Sequence, residues 1–273
     1  MNILVINIAM RRGTPVTLFN IGLGYVTTAM KRAGYDFDLI DIDLHRYMDA
    51  EVESLIKKRS YDVVCIGCIV TGYKIAKELM SVIKRCHPTC QIIVGNTVAS
   101  SITDTLLRQT EADIAVTAEG DITIVDLLDT ISKNGPLGEV KGISYIDKDK
   151  IITTAPQPMI EDISSLPYID FDIWDAEKYI SKSQYEVNDP LPFPRDQVRA
   201  LPINTARGCL AKCSFCYHLF VQYKYRYRTP DSIVGEIKSM IEKYDLNYIQ
   251  FWDELSFFSR KQTLALVERI LDE

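Results

Sequence analysis

The 273-residue chain has no apolar run long enough to cross a bilayer. Its first such run, Ile3 to Met10, is short and is followed by Arg11 and Arg12, so neither a secretory signal nor a membrane partner is expected. It has no basic excess either. Lys and Arg number 31 against 37 Asp and Glu, a net charge of -6, which argues against nucleic acid as a partner because phosphate neutralisation needs a basic surface. The seven cysteines are an odd set, which suits a reducing compartment better than a disulfide framework, and a cytoplasmic location is expected. No G-x-G-x-x-G follows the first strand-like run: Ile21-Gly22-Leu23-Gly24-Tyr25-Val26-Thr27-Thr28 lacks the third glycine. A nicotinamide dinucleotide is therefore not favoured.

What is present is an alternation of apolar runs and amphipathic stretches. With 47% hydrophobic and 25% charged residues, the chain can bury two modest cores. Strands are expected at Ile3 to Ile8, Phe37 to Ile42, Asp62 to Cys68, Gln91 to Val94 and Asp113 to Thr117. Helices are expected at Gly24 to Ala33, Asp49 to Lys58, Lys74 to Cys86, Ile102 to Gln109 and Ile122 to Ser132. This pattern implies a doubly wound, mainly parallel α/β domain over residues 1–132, with right-handed crossovers. Such domains bind ligands beyond the carboxyl ends of their strands, where Thr71, Gly72, Gly95, Asn96 and Gly120 offer small residues that let a bulky ligand approach the backbone. Ordinary turn chemistry explains such residues equally well.

The strongest local signal lies further along. Cys209, Cys213 and Cys216 are spaced C-x3-C-x2-C after a strand-like run, in a loop that mixes Arg207, Gly208, Lys212 and Ser214 among them. A core strand or an apolar helix face would not carry those residues. Three thiolates suit an iron–sulfur cluster with one iron left open. They also suit zinc, with His218 completing a closed tetrahedron. The other four cysteines read as structural: Cys65 and Cys68 lie in a buried strand three residues apart, and Cys86 and Cys90 flank a helix-to-strand turn. The alternating stretch Tyr223 to Arg228 reads as a solvated strand or loop beside the site, because a basic-aromatic run this short is a weak sign of phosphate contact.

The segment Ala206 to Tyr217 resembles the cluster loop of radical S-adenosylmethionine (SAM) enzymes, C-x3-C-x-aromatic-C, with Phe215 at the aromatic position. The resemblance implies that Cys209, Cys213 and Cys216 hold a 4Fe-4S cluster whose fourth iron takes SAM. One-electron reduction would then cleave the sulfonium bond to a 5′-deoxyadenosyl radical. Phe215 would contact the adenine region, and Asp253 or Glu254, at the end of the strand Tyr248 to Trp252, would hold the SAM amino group.

Upstream, Gly22 to Tyr25, Lys31 to Tyr35, Asp41 to Asp43, Val94 to Asn96 and Ala118-Glu119-Gly120-Asp121 look like the cobalamin-binding domain that precedes the radical SAM barrel in one large subfamily. Glu119 joins the cobalamin candidates on this ground. Two departures stand out: no histidine occurs from Asn7 to Gly13, where other cobalamin enzymes supply one to cobalt, and residue 96 is Asn where a second glycine is common. The family resemblance implies methyl transfer to an unactivated centre, with radical rearrangement or cyclisation as the alternative; a zinc or iron–sulfur regulatory module without SAM cleavage is the reading outside enzymology. It also implies a small-molecule or peptide substrate and a flavodoxin- or ferredoxin-like electron donor.

Between the two parts, residues 133–195 read as a connector, with a hairpin at Gly142 to Thr153 and a proline-rich segment that straps the chain or covers the substrate entrance. Residues 196–273 read as the start of a radical SAM partial barrel. A helix from Ser232 to Tyr244, the strand at Tyr248 and a helix from Arg260 to Leu271 make two βα units where the family's barrel has about six. The resemblance therefore implies the N-terminal portion of a longer enzyme, not expected to turn over alone.

Overall fold

The computed structural model describes residues 1–216, 224–256 and 259–273. The chain divides into two units. The first comprises Met1–Thr14, Gly22–Pro158 and Ile169–Trp174, and the second Pro15–Ile21, Met159–Tyr168 and Asp175–Glu273.

The first unit is a doubly wound α/β sheet. In chain order it holds β1 (Ile3–Asn7), α1 (Ile21–Arg32), β2 (Phe37–Asp41), α2 (Ile42–His45), α3 (Asp49–Lys57), β3 (Val63–Gly67), α4 (Tyr73–Cys86), β4 (Gln91–Gly95), α5 (Thr97–Ser101), α6 (Thr103–Gln109), β5 (Ile114–Val116), α7 (Gly120–Ser132), β6 (Ile143–Asp147) and β7 (Lys150–Thr153). The sheet order is β2-β1-β3-β4-β5-β6-β7, and the first five strands are parallel. β1 and β3 are buried along their whole length, as mainly apolar strands covered on both faces must be. α4 shows why the helices pack: Ala76, Leu79, Met80 and Ile83 recur at helical spacing and form its buried stripe. Pro88 follows and forbids a further turn.

Two features differ from expectation. The hairpin assigned to the connector is part of the sheet: β6 pairs antiparallel with β5 and β7 with β6, so residue 132 lies inside this unit rather than at its edge. Its turn uses Lys148 and Asp149, both left-handed at φ 47° and 65°, as a two-residue hairpin of matching twist requires. In addition, residues 169–174 of the proline-rich stretch pack against α1, whose small residues leave room for them. Trp174 Nε1 donates to Thr27 Oγ1 at 3.1 Å, and Asp170 N donates to Thr28 Oγ1 at 2.9 Å. The short helices α2 and α5 carry too few residues to show a period.

Asn96, between β4 and α5, adopts φ 72° and ψ -163°, a region that glycine occupies and other residues enter only under strain. Its side chain caps Thr97 N at 2.6 Å. Glycine would lose that cap, worth only a few tenths of a kcal/mol against Gly. Asn96→Gly is therefore expected to stabilise this unit by about 1 kcal/mol, the difference between relieved strain and lost cap. Thermal unfolding checks it, and an unchanged or lower midpoint would contradict the strain argument.

The second unit contains α8 (Ala176–Lys182), β8 (Ala200–Ile203), β9 (Ala206–Arg207), β10 (Arg226–Tyr227), α9 (Pro230–Tyr244), β11 (Tyr248–Phe251) and α10 (Arg260–Leu271). α9 begins two residues before the expected start, because Pro230 sits at its first turn and Thr229 Oγ1 accepts from Ser232 N at 3.3 Å. β8 and β11 pair in parallel, Ala200 opposite Tyr248 through Ile203 opposite Phe251. β11 leads into α10, so the two βα units expected from the sequence are present.

Candidate functional site

The parallel pairing of β8 and β11 carries both strands to the same end, and the chemistry-bearing residues leave from there. Residues 204–206 follow β8, and Asp253 lies two residues past β11. Asp253 Oδ1 accepts from Asn204 Nδ2 at 2.5 Å, Thr205 N at 2.7 Å and Ala206 N at 3.0 Å, while Oδ2 accepts from Thr205 Oγ1 at 2.6 Å. The carbonyls of the same segment are held from the other direction. Arg228 Nη1 donates to Asn204 O at 2.9 Å, and Arg228 N donates to Thr205 O at 2.8 Å.

From this gripped segment the chain runs through β9 into Gly208, whose φ of +83° suits glycine, and then to Cys209. β9 pairs antiparallel with β10, Arg207 opposite Arg226, so the cysteine loop is tied at its base. Cys209 is half-buried, and Cys213 and Cys216 are exposed; no disulfide takes up any of the three. Cys216 N donates to Cys213 O at 3.0 Å, which closes a turn between two of them. Among the described residues no group of three or more His, Cys, Asp or Glu side chains is gathered to hold a metal ion, so the three thiols share a loop without sharing a centre. The donor set nonetheless fits a cluster: three soft ligands on a tethered loop, open to incoming iron and sulfide. His218, the fourth ligand of the zinc alternative, lies outside the described residues. Phe215 is 91% exposed, so its ring is available to a ligand rather than used in a core.

The strand-end carboxylates differ in environment. Asp253 is occupied as described. Glu254 exposes part of its surface, yet protein surrounds its carboxyl, and this desolvation, ahead of the Asp253 charge, raises its pKa above the usual carboxylate range. The Tyr223 to Arg228 stretch is not the solvated run expected. Tyr223 lies outside the described residues, but Arg226 and Arg228 are 5% and 3% exposed. Arg226 Nη1 donates to Ile160 O at 2.7 Å, and Arg228 pairs with the buried Glu236. Tyr225 donates its hydroxyl to Leu255 O at 3.0 Å, and burial first, then the Asp253 charge, pushes its phenol up to about 12. It stays a neutral donor beside the site. The charge alternation gave no sign of these roles, because a buried arginine is recognisable only from its partners.

In the first unit, the candidates for cofactor contact fall on the rim formed by the strand carboxyl ends. Thr71 and Gly72 follow β3, Gly95 ends β4 with Asn96 after it, and Glu119 and Gly120 stand at the start of α7. Hydrogen bonds stitch these loops into one ridge: Cys68 N to Gly95 O at 3.3 Å, Val70 N to Thr97 Oγ1 at 3.0 Å and Ser100 Oγ to Thr117 O at 2.8 Å. The order β2-β1-β3 puts the topological switch point at this end of the sheet.

The six candidates are not equivalent. A Cβ at Gly95 would meet nothing within 4 Å, so the backbone there faces open space. At Gly72 it would strike Met10 Sδ at 2.5 Å and Cys68 Sγ at 2.8 Å, and at Gly120 it would press on Val26 at 3.1 Å. Gly72 is thus a packing glycine. Ile69 and Val70 add exposed apolar surface, 44% and 37%, beside Thr71. Of the two described histidines, His45 lies four residues past the carboxyl end of β2 and stacks on Tyr47, and His87 Nε2 contacts Ile56 O at 2.9 Å after α4. The loops after β3, β4 and β5 carry no histidine, and their apolar, backbone-rich surface fits cobalamin held there by contact.

Residues 11–128 match the B12 binding domain family. An anaerobic magnesium-protoporphyrin IX monomethyl ester cyclase from Cereibacter sphaeroides is 27% identical over 254 residues, 91% of this chain and 39% of that protein. A cytidylyl-2-hydroxyethylphosphonate methyltransferase from Streptomyces wedmorensis is 22% identical over 285 residues, 89% and 52% of the two chains. The chain thus carries a B12 binding domain match and is similar, over most of its length, to these enzymes. Its fold is also that of the cobalamin-dependent S-adenosylmethionine radical enzyme OxsB, solved with aqua-cobalamin and S-adenosylmethionine bound: TM-score 0.75 at 18% identity, covering 100% of this chain and 37% of that one. The chain therefore spans about two fifths to one half of the relatives compared. Among the described residues no helix is long and apolar enough to cross a membrane.

Proposed function

We propose that this chain contributes the cobalamin rim and the cluster loop of an enzyme that transfers a methyl group to an unactivated centre. The observation that carries this reading is the tethered loop of Cys209, Cys213 and Cys216 at the end of a parallel βα pair, in one chain with a B12-binding fold. When bound, the three groups would supply reductive cleavage of SAM to a 5′-deoxyadenosyl radical and a carrier for the methyl group. The protein's own residues divide the remaining work. The three thiolates hold the cluster, Phe215 offers a ring to the adenine, and Glu254 offers a carboxylate to the SAM amino group. Gly95 and the Ile69-Val70-Thr71 segment form the contact surface for cobalamin. A cytoplasmic location, a small-molecule or peptide substrate and a flavodoxin- or ferredoxin-like electron donor complete the reading.

The test is anaerobic. The full chain is supplied with iron, sulfide and hydroxocobalamin, and saturable cobalamin binding at or below tens of micromolar is expected, a range that weak but specific sites reach. The bound spectrum should show no nitrogen ligation from protein. A folded chain that takes up neither iron nor cobalamin would sink the proposal.

A further inference from the structure

We propose that Asp253 is the positioning residue of the three-cysteine loop, not a ligand for SAM. This rests on the reading of that loop as an iron–sulfur site. A carboxylate has about four lone-pair sites, and the protein already engages both oxygens of Asp253: Oδ1 accepts from Asn204 Nδ2, Thr205 N and Ala206 N, and Oδ2 accepts from Thr205 Oγ1. Oδ1 is fully taken, so an incoming ammonium would find at most the second lone pair of Oδ2, beside the Thr205 hydroxyl.

The donors it satisfies explain its place. β8 ends at Ile203 and β9 begins at Ala206, so the intervening peptides have left one ladder without having entered the next. Thr205 and Ala206 are 0% and 2% exposed, and water cannot replace the carboxylate there. Arg228 holds the carbonyls of the same segment, through its guanidinium to Asn204 O and its amide to Thr205 O. The amides of Thr205 and Ala206 and the carbonyls of Asn204 and Thr205, which lead the chain into Arg207, Gly208 and Cys209, are therefore held from residues 228 and 253. Asp253 and Glu254 divide the work: one is spent on the loop, and the other is left to meet a ligand.

The two roles separate in the absence of SAM. A residue that only binds SAM has no influence on a cluster formed without it, whereas a positioning residue does. The full chain, Asp253→Asn and Asp253→Ala are reconstituted with iron and sulfide without SAM and then challenged with an iron chelator. Bleaching of the cluster absorption is followed, with far-UV circular dichroism as the check on folding. Asp253→Asn keeps the volume and one acceptor oxygen, so it serves if the alanine variant does not fold. Iron is expected to leave the Asn variant about fivefold faster than wild type, the effect of weakening the segment by one interaction. The Ala variant, where folded, should lose it faster still. Wild-type bleaching rates in every folded variant, with loss only of the SAM-dependent change in the electron paramagnetic resonance of the reduced cluster, would return Asp253 to the ligand role. A wild-type chain that takes up no iron would overturn the cluster reading itself and the proposal with it.

Discussion

Cys213→Ala, reconstituted anaerobically, is expected to hold little or no iron, and Cys209→Ala and Cys216→Ala should do the same. The ligand count sets the size of the effect: a cluster with one iron open to SAM rests on three protein thiolates, and two cannot hold it. Nor can another cysteine of the chain take the empty place. Cys65, Cys68 and Cys90 are buried, and burial pushes the thiols of Cys65 and Cys68 up to about 12. Near neutral pH those two are protonated, whereas metal ligation needs the thiolate. Cys86→Ala is the matched control and should load iron as wild type does, because Cys86 belongs to α4 of the first unit. Iron is counted per chain, together with the visible cluster absorption. Undiminished iron in Cys213→Ala, or stoichiometric zinc with no iron in the wild-type chain, would decide against the cluster.

The doubly wound sheet was legible in the sequence because its strands are covered on both faces. Val63 to Gly67 and Ile3 to Ile6 can be apolar throughout, and the α4 stripe repeats at 3.6 residues, so burial writes itself into local pattern. The turn at Lys148 and Asp149 was visible for a similar reason, since it lies between two strand-like runs. What those strands joined was not visible. Hydrogen bonding of β6 to β5 is a choice of partner, which a local pattern does not encode.

The candidate site divides in the same way. The cysteine spacing is local chemistry and was readable. The grip of Asp253 on Thr205 spans 48 residues of chain, and a strand-end carboxylate in a sequence looks the same whether it meets a ligand or a backbone turn. Gly72 misled in the opposite direction. A glycine after a strand suggests access for a ligand, but here its missing side chain is what lets Met10 and Cys68 pack. Arg228 was read as solvated because charged residues are almost never fully buried unless paired, and its partner eight residues away forms no recognisable motif.

That pair carries the second large effect. The side chains of Arg228 and Glu236 are 4% and 2% exposed, and the guanidinium also donates to Ser232 O at 3.0 Å and lies over the Tyr168 ring at 5.4 Å. Glu236→Ala leaves a cation in that interior without its anion, and removal of one partner from a buried pair costs about 3–5 kcal/mol. Replacing both, as Arg228→Met with Glu236→Leu, removes the stranded charge and should recover much of the loss. It should not recover all of it, because the part-buried Asn204 O then loses its donor, at the lower end of the about 1–3 kcal/mol that a buried unsatisfied group costs. The two tryptophans make the measurement separable: Trp174 belongs to the first unit and Trp252 to the second. In a Trp174→Phe background, denaturant unfolding followed by Trp252 fluorescence reports the second unit, and the midpoint should fall steeply for Glu236→Ala and only partly for the double variant. A single variant within about 1 kcal/mol of wild type is what an exposed pair would give, and it would place Arg228 and Glu236 at the surface. The double variant also bears on the cysteine loop, since its stability can approach wild type while Asn204 O is left unheld and only the backbone amide of residue 228 still holds Thr205 O.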